Sequence, residues 1–455
     1  MPDDGLRHVA FAANLDVMHS WGEVFPHSLF FKEYDPWYIW HEIIRFYLHF
    51  FSVESVHVAI NTTALFILML LLDSLFRRYS QLKNSPLVFF IILSIALLSA
   101  FRYVNVRPDL LSGLFLLSAL LLNRNFFLLF IVTFLYSTTY YLFFLYTGSI
   151  GLVYLILKNY KALSALFVAS LLGLTYHIYV GGDEFLKTIY YVLSDQSLRE
   201  GLKIGEGTPL FEMLSDVNFY LIVLFSWLLS FSLIYKYYDY FKKQPIALLI
   251  LIMLPLWLAQ ARYFALLYPL FFLYFLLELK HILKLLFARK IVYYLYKFFH
   301  TLKSAQYKPI FLIPALLYTI VMFGYIMSNY DKQEILEEKA YYKNPAFNNQ
   351  TILINTFNVD TYYALYTNPS LKIVPSCAIG WFRGDKEIKD IYIRMMKEDG
   401  ITEEELNRLI EYVGAKYYIH TLVNAKQALS FAKLKELHIE PILILNNKIL
   451  FEKKR

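Results

Sequence analysis

Long apolar runs, broken by short polar or basic joints, fill the chain from residue 56 to residue 327. A helix needs about 20 apolar residues to cross the hydrocarbon of a bilayer. On that yardstick the sequence predicts spans near 56–76, 85–101, 108–123, 126–146, 149–158, 162–180, 216–236, 245–260, 263–279 and 308–327. The run over 149–158 is short enough to be a re-entrant piece instead. Residues 281–300 mix bases with Leu, Phe and Tyr at helical spacing, which suits a helix lying on the inner leaflet or a linker between spans. The pattern changes after residue 327. Thr351–Phe357 and Lys372–Pro375 read as strands, and Thr402–Val413 as a helix with Thr402 as N-cap and Glu405 at the capping-box position. Lys416–Leu422 returns to strand. Glu440–Leu445 and Ile449–Glu452 flank Asn446-Asn447, a pair suited to a two-residue hairpin turn.

Composition agrees with the pattern. Hydrophobic residues make up 58% and charged ones 17% of 455 residues, and 40 Phe and 39 Tyr bring the aromatic share to 19%. Mean hydropathy is +0.46. A water-soluble chain of this kind would expose large apolar patches and aggregate. The expected class is therefore mainly α, a polytopic transmembrane helical bundle of about 10 helices with a small C-terminal extracytoplasmic α/β domain. The single Cys377 excludes a disulfide framework and a zinc site built on thiolates.

Charge divides the chain into three parts. Residues 1–55 carry a balance of −5, residues 56–327 one of +11, and residues 328–455 one of +1. The net +7 is too small to argue for a nucleic-acid partner. Its distribution sets orientation, because Lys and Arg favour the cytoplasmic side. With residues 1–55 outside, the inner loops hold 16 Lys and Arg and the outer loops six. The chain is thus expected to be a multi-pass cell-membrane protein with both the N-terminal segment and the C-terminal domain extracytoplasmic. No apolar signal precedes the polar N-terminal segment, so either a first spanning helix is missing upstream of Met1, the favoured expectation, or the segment crosses by an unusual route.

Charges at the outer face are few, and charge near hydrocarbon is costly enough to mark function. Asp3 and Asp4 precede a short amphipathic helix bearing Arg7 and His8. Paired carboxylates suit a general base or a divalent cation, and equally a helix N-cap. Tyr34-Asp-Pro-Trp-Tyr-Ile-Trp-His-Glu places Asp35 before a helix start, where it also suits a cap, with interfacial aromatics and His41 following. Arg102, Arg107 and Asp109 lie between two spans, and Arg262 in another outer joint. Guanidinium groups there grip phosphate oxygens or snorkel to lipid headgroups. Residues 181–215 form the longest internal outer loop, of the length used by lids and binding loops. No Walker A loop, Rossmann glycine run, HExxH helix or serine-hydrolase elbow occurs.

This arrangement resembles the GT-C superfamily of membrane glycosyltransferases: an acidic pair in the first outer segment, an interfacial helix, many spans and a terminal extracytoplasmic α/β domain. Asp35-Pro-Trp-Tyr is similar to the Asp-Pro-aromatic motif of oligosaccharyltransferases. Arg107-Pro-Asp-Leu-Leu-Ser-Gly-Leu-Phe-Leu-Leu resembles a recurrent Arg-Pro-Asp and leucine-rich span of bacterial members. Two features depart from the family. Asp3 stands almost at the start, without the usual preceding helix, and no Trp-Trp-Asp occurs in the C-terminal domain. The resemblance implies transfer of a sugar from a polyprenyl-phosphate carrier to a glycan, lipid or protein acceptor. On it Asp3 or Asp4 is the general base, and Asp35 orients the acceptor or helps hold a cation. Arg102, Arg107 or Arg262 stabilises the departing phosphate, with Asp109, His8 and His41 beside the substrate. Metal dependence varies across the superfamily and stays open, so a divalent cation is the one cofactor in question. Two other classes compete: a transporter or flippase for an amphiphilic glycolipid, and an O-antigen ligase or polymerase.

Overall fold

A computed structural model describes residues 5–14, 21–27, 34–79, 108, 110–194, 244–259, 269–270, 273–274, 277, 340–354, 364–365, 367–374, 385–397, 401–421, 440–445 and 448–452. The described chain is mainly helical. It divides into two compact units, one of Met1–His57, His177–Leu202 and Tyr325–Arg455, the other of Val58–Tyr176 and Lys203–Gly324.

In order, the helices are α1 Gly5–Ala13, α2 Trp21–Val24, α3 Tyr38–Leu48, α4 Val53–Tyr79, α5 Leu110–Leu122, α6 Phe126–Thr139, α7 Phe143–Ile156, α8 Tyr160–Ser194 and α9 Pro245–Ala259. Two stretches, Ser55–Tyr79 and Tyr160–Tyr190, are long and apolar enough to cross a membrane. The expected spans 85–101, 216–236 and 308–327, most of 263–279, and the stretch 281–300 lie outside the described residues.

Three sequence expectations need correction. The run predicted over 126–146 is two elements, because the chain turns at Tyr140–Leu142 between α6 and α7. Residues 149–158 are not a separate piece, since α7 runs through them to Ile156. Residues 181–194 are helical rather than loop. The helix breaks at Gly182, whose φ of 51° and ψ of −140° only glycine adopts at little cost, and then resumes.

Local chemistry explains the joints. Asn125 caps α6, its side-chain oxygen accepting the Leu128 N–H at 3.2 Å. Asn159 does the same for α8, accepting from Ala162 N–H at 3.3 Å. Arg78 donates to the Leu121 carbonyl and to Asn123, placing a cation at the C-terminal end of α5. Gly173 lets α8 approach α6 closely, as a Cβ there would stand 2.0 Å from Ser137 Oγ.

In the first unit the C-terminal part builds a five-stranded sheet in the order β2-β1-β3-β5-β4. The strands are β1 Thr351–Ile354, β2 Lys372–Val374, β3 Tyr417–Thr421, β4 Glu440–Leu445 and β5 Lys448–Glu452, with helices α10 Lys386–Lys397 and α11 Glu403–Tyr412 between β2 and β3. β2, β1 and β3 are parallel, while β5 runs antiparallel to β3 and β4. Leu445 pairs with Lys448, leaving two residues for the connection. The apolar faces of α10 and α11 close over the sheet through Ile388, Tyr392, Met395, Leu406 and Leu409.

The outer faces of these helices are tied by charge. Thr402 and Glu405 form the reciprocal capping box that their spacing predicts. Arg394 forks onto Glu405 and reaches Asp390, and Arg408 forks onto Glu387. The Arg394 bonds, aided by the Thr402 N–H, hold the Glu405 carboxyl down at about 2, below its usual 4.5. A lowered carboxylate stabilises the fold fully above its unfolded value and loses that contribution as pH falls through its folded value. Acidification from pH 5 to pH 2 therefore weakens α11. Glu405→Gln is expected to cost on the order of 1 kcal/mol at pH 7 and to flatten this acid slope, as read by amide exchange across α11. An unchanged slope would remove Glu405 from the account.

Candidate functional site

The N-terminal segment folds around two short helices. Val9, Ala10, Phe11 and Ala12 of α1 are buried, and α1 packs on α3. Asn14 fastens the end of α1, donating to Ala10 O at 2.8 Å and to Leu365 O at 3.0 Å in the C-terminal part. His27 makes a second tie, its ring nitrogen 3.1 Å from Val413 O and its ring 5.8 Å from that of Tyr412.

Pro36 follows Asp35 and keeps it out of helical geometry, so the chain turns there before α3 begins. Asp35 Oδ1 accepts the Trp37 N–H at 2.9 Å. Asp35 O accepts the Tyr38 N–H at 3.3 Å. Trp37, not Asp35, is the N-cap residue of α3, and no side chain caps it. His41 stands one turn into the helix, its N–H bonded to Trp37 O at 2.9 Å. Its ring therefore reaches back over the turn, and Nδ1 lies 2.5 Å from Asp35 Oδ2.

The second ring nitrogen continues the chain. His41 Nε2 lies 2.8 Å from His8 Nδ1 of α1. Asp35, His41 and His8 thus form one hydrogen-bonded line of a carboxylate and two imidazoles. They are 7%, 0% and 2% exposed. Aromatic rings enclose it: Trp37 stands edge-on to His8 at 5.2 Å, and Phe11 lies 4.7 Å from His41. Low dielectric strengthens such bonds and makes a broken one costly.

The line has a direction. An ionised carboxylate only accepts, so a neutral His41 beside it donates from Nδ1 and keeps a lone pair on Nε2. His8 then donates from Nδ1, and its lone pair rests on Nε2. A ring nitrogen in that form can accept a hydrogen bond or a proton. A proton arriving there leaves a positive charge that the Asp35 carboxylate balances through two rings. This is the arrangement of a general base oriented and supported from behind.

Of the residues singled out in the sequence, Asp35, His41 and His8 come together. Asp3, Asp4, Arg102, Arg107, Asp109 and Arg262 lie outside the described residues. The backbone N–H of Trp37 and the packing of Phe11 belong to the site as well. Phe11 follows His8 by three residues and so shares its helix face, a legible signal. A divalent cation needs several oxygen ligands. Both Asp35 oxygens are already engaged, and among the described residues no group of three or more His, Cys, Asp or Glu is placed to hold a metal.

A further segment borders the site. Gly181 of α8 abuts Tyr34, the neighbour of Asp35: a Cβ there would lie 2.7 Å from the Tyr34 ring and 3.0 Å from Phe185 Cβ. Beside it His177, also buried, stacks on Phe185 at 5.0 Å. Comparison with family models, with curated proteins and with solved structures finds no match.

Proposed function

We propose that the chain is a multi-pass membrane glycosyltransferase. It moves a sugar from a polyprenyl-phosphate carrier to an acceptor hydroxyl at the outer face of the membrane. The buried Asp35–His41–His8 line carries this reading, because glycosyl transfer to a hydroxyl needs a supported base. The apolar side chains exposed along the helices, such as Phe66 and Leu70 on α4 and Phe167 and Leu171 on α8, support immersion in lipid.

On this reading the acceptor oxygen attacks the anomeric carbon as its proton passes to His8 Nε2. The bond from that carbon to the phosphate oxygen breaks, and its electron pair leaves with the polyprenyl phosphate. Arg102, Arg107 and Arg262, with Asp109 near them in sequence, are assigned to the departing phosphate. Asp35 and His41 position and support the base. Asp3 and Asp4, just ahead of His8 in sequence, orient the acceptor or hold a cation.

The test is transfer by the purified full chain in proteoliposomes, supplied with a panel of polyprenyl-phosphate sugars and alcohol acceptors. Sugar transfer that collapses in His8→Ala and His41→Ala is the expected result. Movement of an intact carrier across the bilayer without cleavage of the sugar–phosphate bond would replace the enzyme reading with a transporter.

A further inference from the structure

We propose that α6 and α7 form a re-entrant hairpin, which enters the membrane from its basic side, contacts the lipids of that leaflet and turns back inside the apolar layer. The inference rests on the reading of this chain as membrane-embedded.

Length is the first argument. Each helix has 14 residues, about 21 Å at about 1.5 Å per residue, against about 30 Å of hydrocarbon. Charge is the second. Between Arg124 and Lys158 the chain carries no Lys, Arg, Asp or Glu, so both charged ends lie at the base and none at the turn. Arg124, Lys158 and Lys161 there suit anionic headgroups.

Exposure falls from the base of the hairpin to its tip. The base of the hairpin is open: Phe127 is 72% exposed and Ile156 50%, with Leu128, Leu152 and Leu155 beside them. The tip is enclosed, Tyr140 and Tyr141 being 7% and 6% exposed and Phe143 and Tyr146 less. An aromatic turn at an outer membrane interface would instead present its tyrosines to headgroups and water.

Non-helical backbone at membrane depth is tolerated only where protein satisfies and covers it. Here the Tyr140 N–H bonds to Tyr136 O at 3.1 Å and the Phe143 N–H to Tyr140 O at 3.0 Å. Hydroxyls near the tip are satisfied locally. Thr138 and Thr139 donate to carbonyls of their own helix, and Tyr136 shares a 2.8 Å bond with Ser112 of α5. The Tyr136 ring also stacks on Phe115 at 4.3 Å, fixing the tip against α5.

Depth measurement separates the possibilities. Single cysteines replace Phe127, Ile131, Leu135 or Phe144 in a Cys377→Ser background, and the full chain is spin-labelled and reconstituted in phosphatidylcholine–phosphatidylglycerol vesicles. Collision with oxygen relative to a water-soluble nickel chelate reports depth. A steady rise from Phe127 through Ile131 to Leu135 is expected, the last about 12 Å deeper than the first. A label at Phe144, beyond the turn, decides between the two: in the hairpin it lies as deep as Leu135, whereas strong nickel collision at Phe144 with Leu135 still deep would mean a full crossing and overturn the hairpin. Strong nickel collision at every labelled position would overturn the hairpin and the membrane reading together.

Discussion

Asp35→Asn is expected to lower sugar transfer by roughly 10²–10⁴-fold while leaving the N-terminal segment folded. The side chain keeps its shape, and its oxygen still accepts the Trp37 N–H. The atom facing His41 Nδ1 becomes an amide nitrogen, which donates instead of accepting. His41 must then hold its proton on Nε2 and point it at His8 Nδ1. His8 responds by carrying its proton on Nε2, so the lone pair that served as base is gone. Loss of the carboxylate also removes the charge that balances a protonated His8. Nitrogen-15 shifts of the two rings read the tautomers directly, and a purely structural role for Asp35 would not reverse them. His8→Ala should abolish transfer to a similar degree without altering the tautomer of His41. Activity near that of the unaltered chain in Asp35→Asn, with both tautomers reversed, would sink the assignment.

The legibility of the chain follows the range of the forces involved. The α11 cap depends on Thr402 and Glu405, three residues apart, and its sequence signature holds in full. The pairing of strands β4 and β5 is equally local, since Leu445 pairs with Lys448 only three positions away. The turn at Tyr140–Leu142 is invisible to a search for polar breaks, because its residues are aromatic or apolar and are buried. α10 is legible in the spacing of Ile388, Ile391, Tyr392 and Met395, but lies outside the elements expected above. The site stands between these cases. Asp35 and His41 are six residues apart across a helix start, so their meeting is within reach of local geometry. His8 joins them across 33 residues, through packing of α1 on α3 that no local pattern encodes. The expected role of Asp35 as a cap or cation ligand is local reasoning; tertiary contact gives its second oxygen a different partner.

Gly181→Ala is expected to cost tenfold or more in transfer, approaching about 10²-fold if the site shifts by about 1 Å. The added Cβ would enter the space of the Tyr34 ring and come within 3.0 Å of Phe185 Cβ. Tyr34 is buried and cannot swing into solvent, so the strain falls on the backbone that leads into Asp35. Overpacking of this kind costs about 1–3 kcal/mol, and a shift of Asp35 would disturb its bond to His41. Gly181 also immediately precedes the break in the helix at Gly182. A double-mutant cycle identifies the cause. Tyr34→Leu shortens the obstructing side chain, so the double variant should lose less than the two single losses combined. Gly148→Ala provides the control, since nothing lies within 4 Å of a Cβ there. Strict additivity between Gly181→Ala and Tyr34→Leu would place the effect of Gly181 elsewhere in α8 and detach that helix from the chemistry of Asp35.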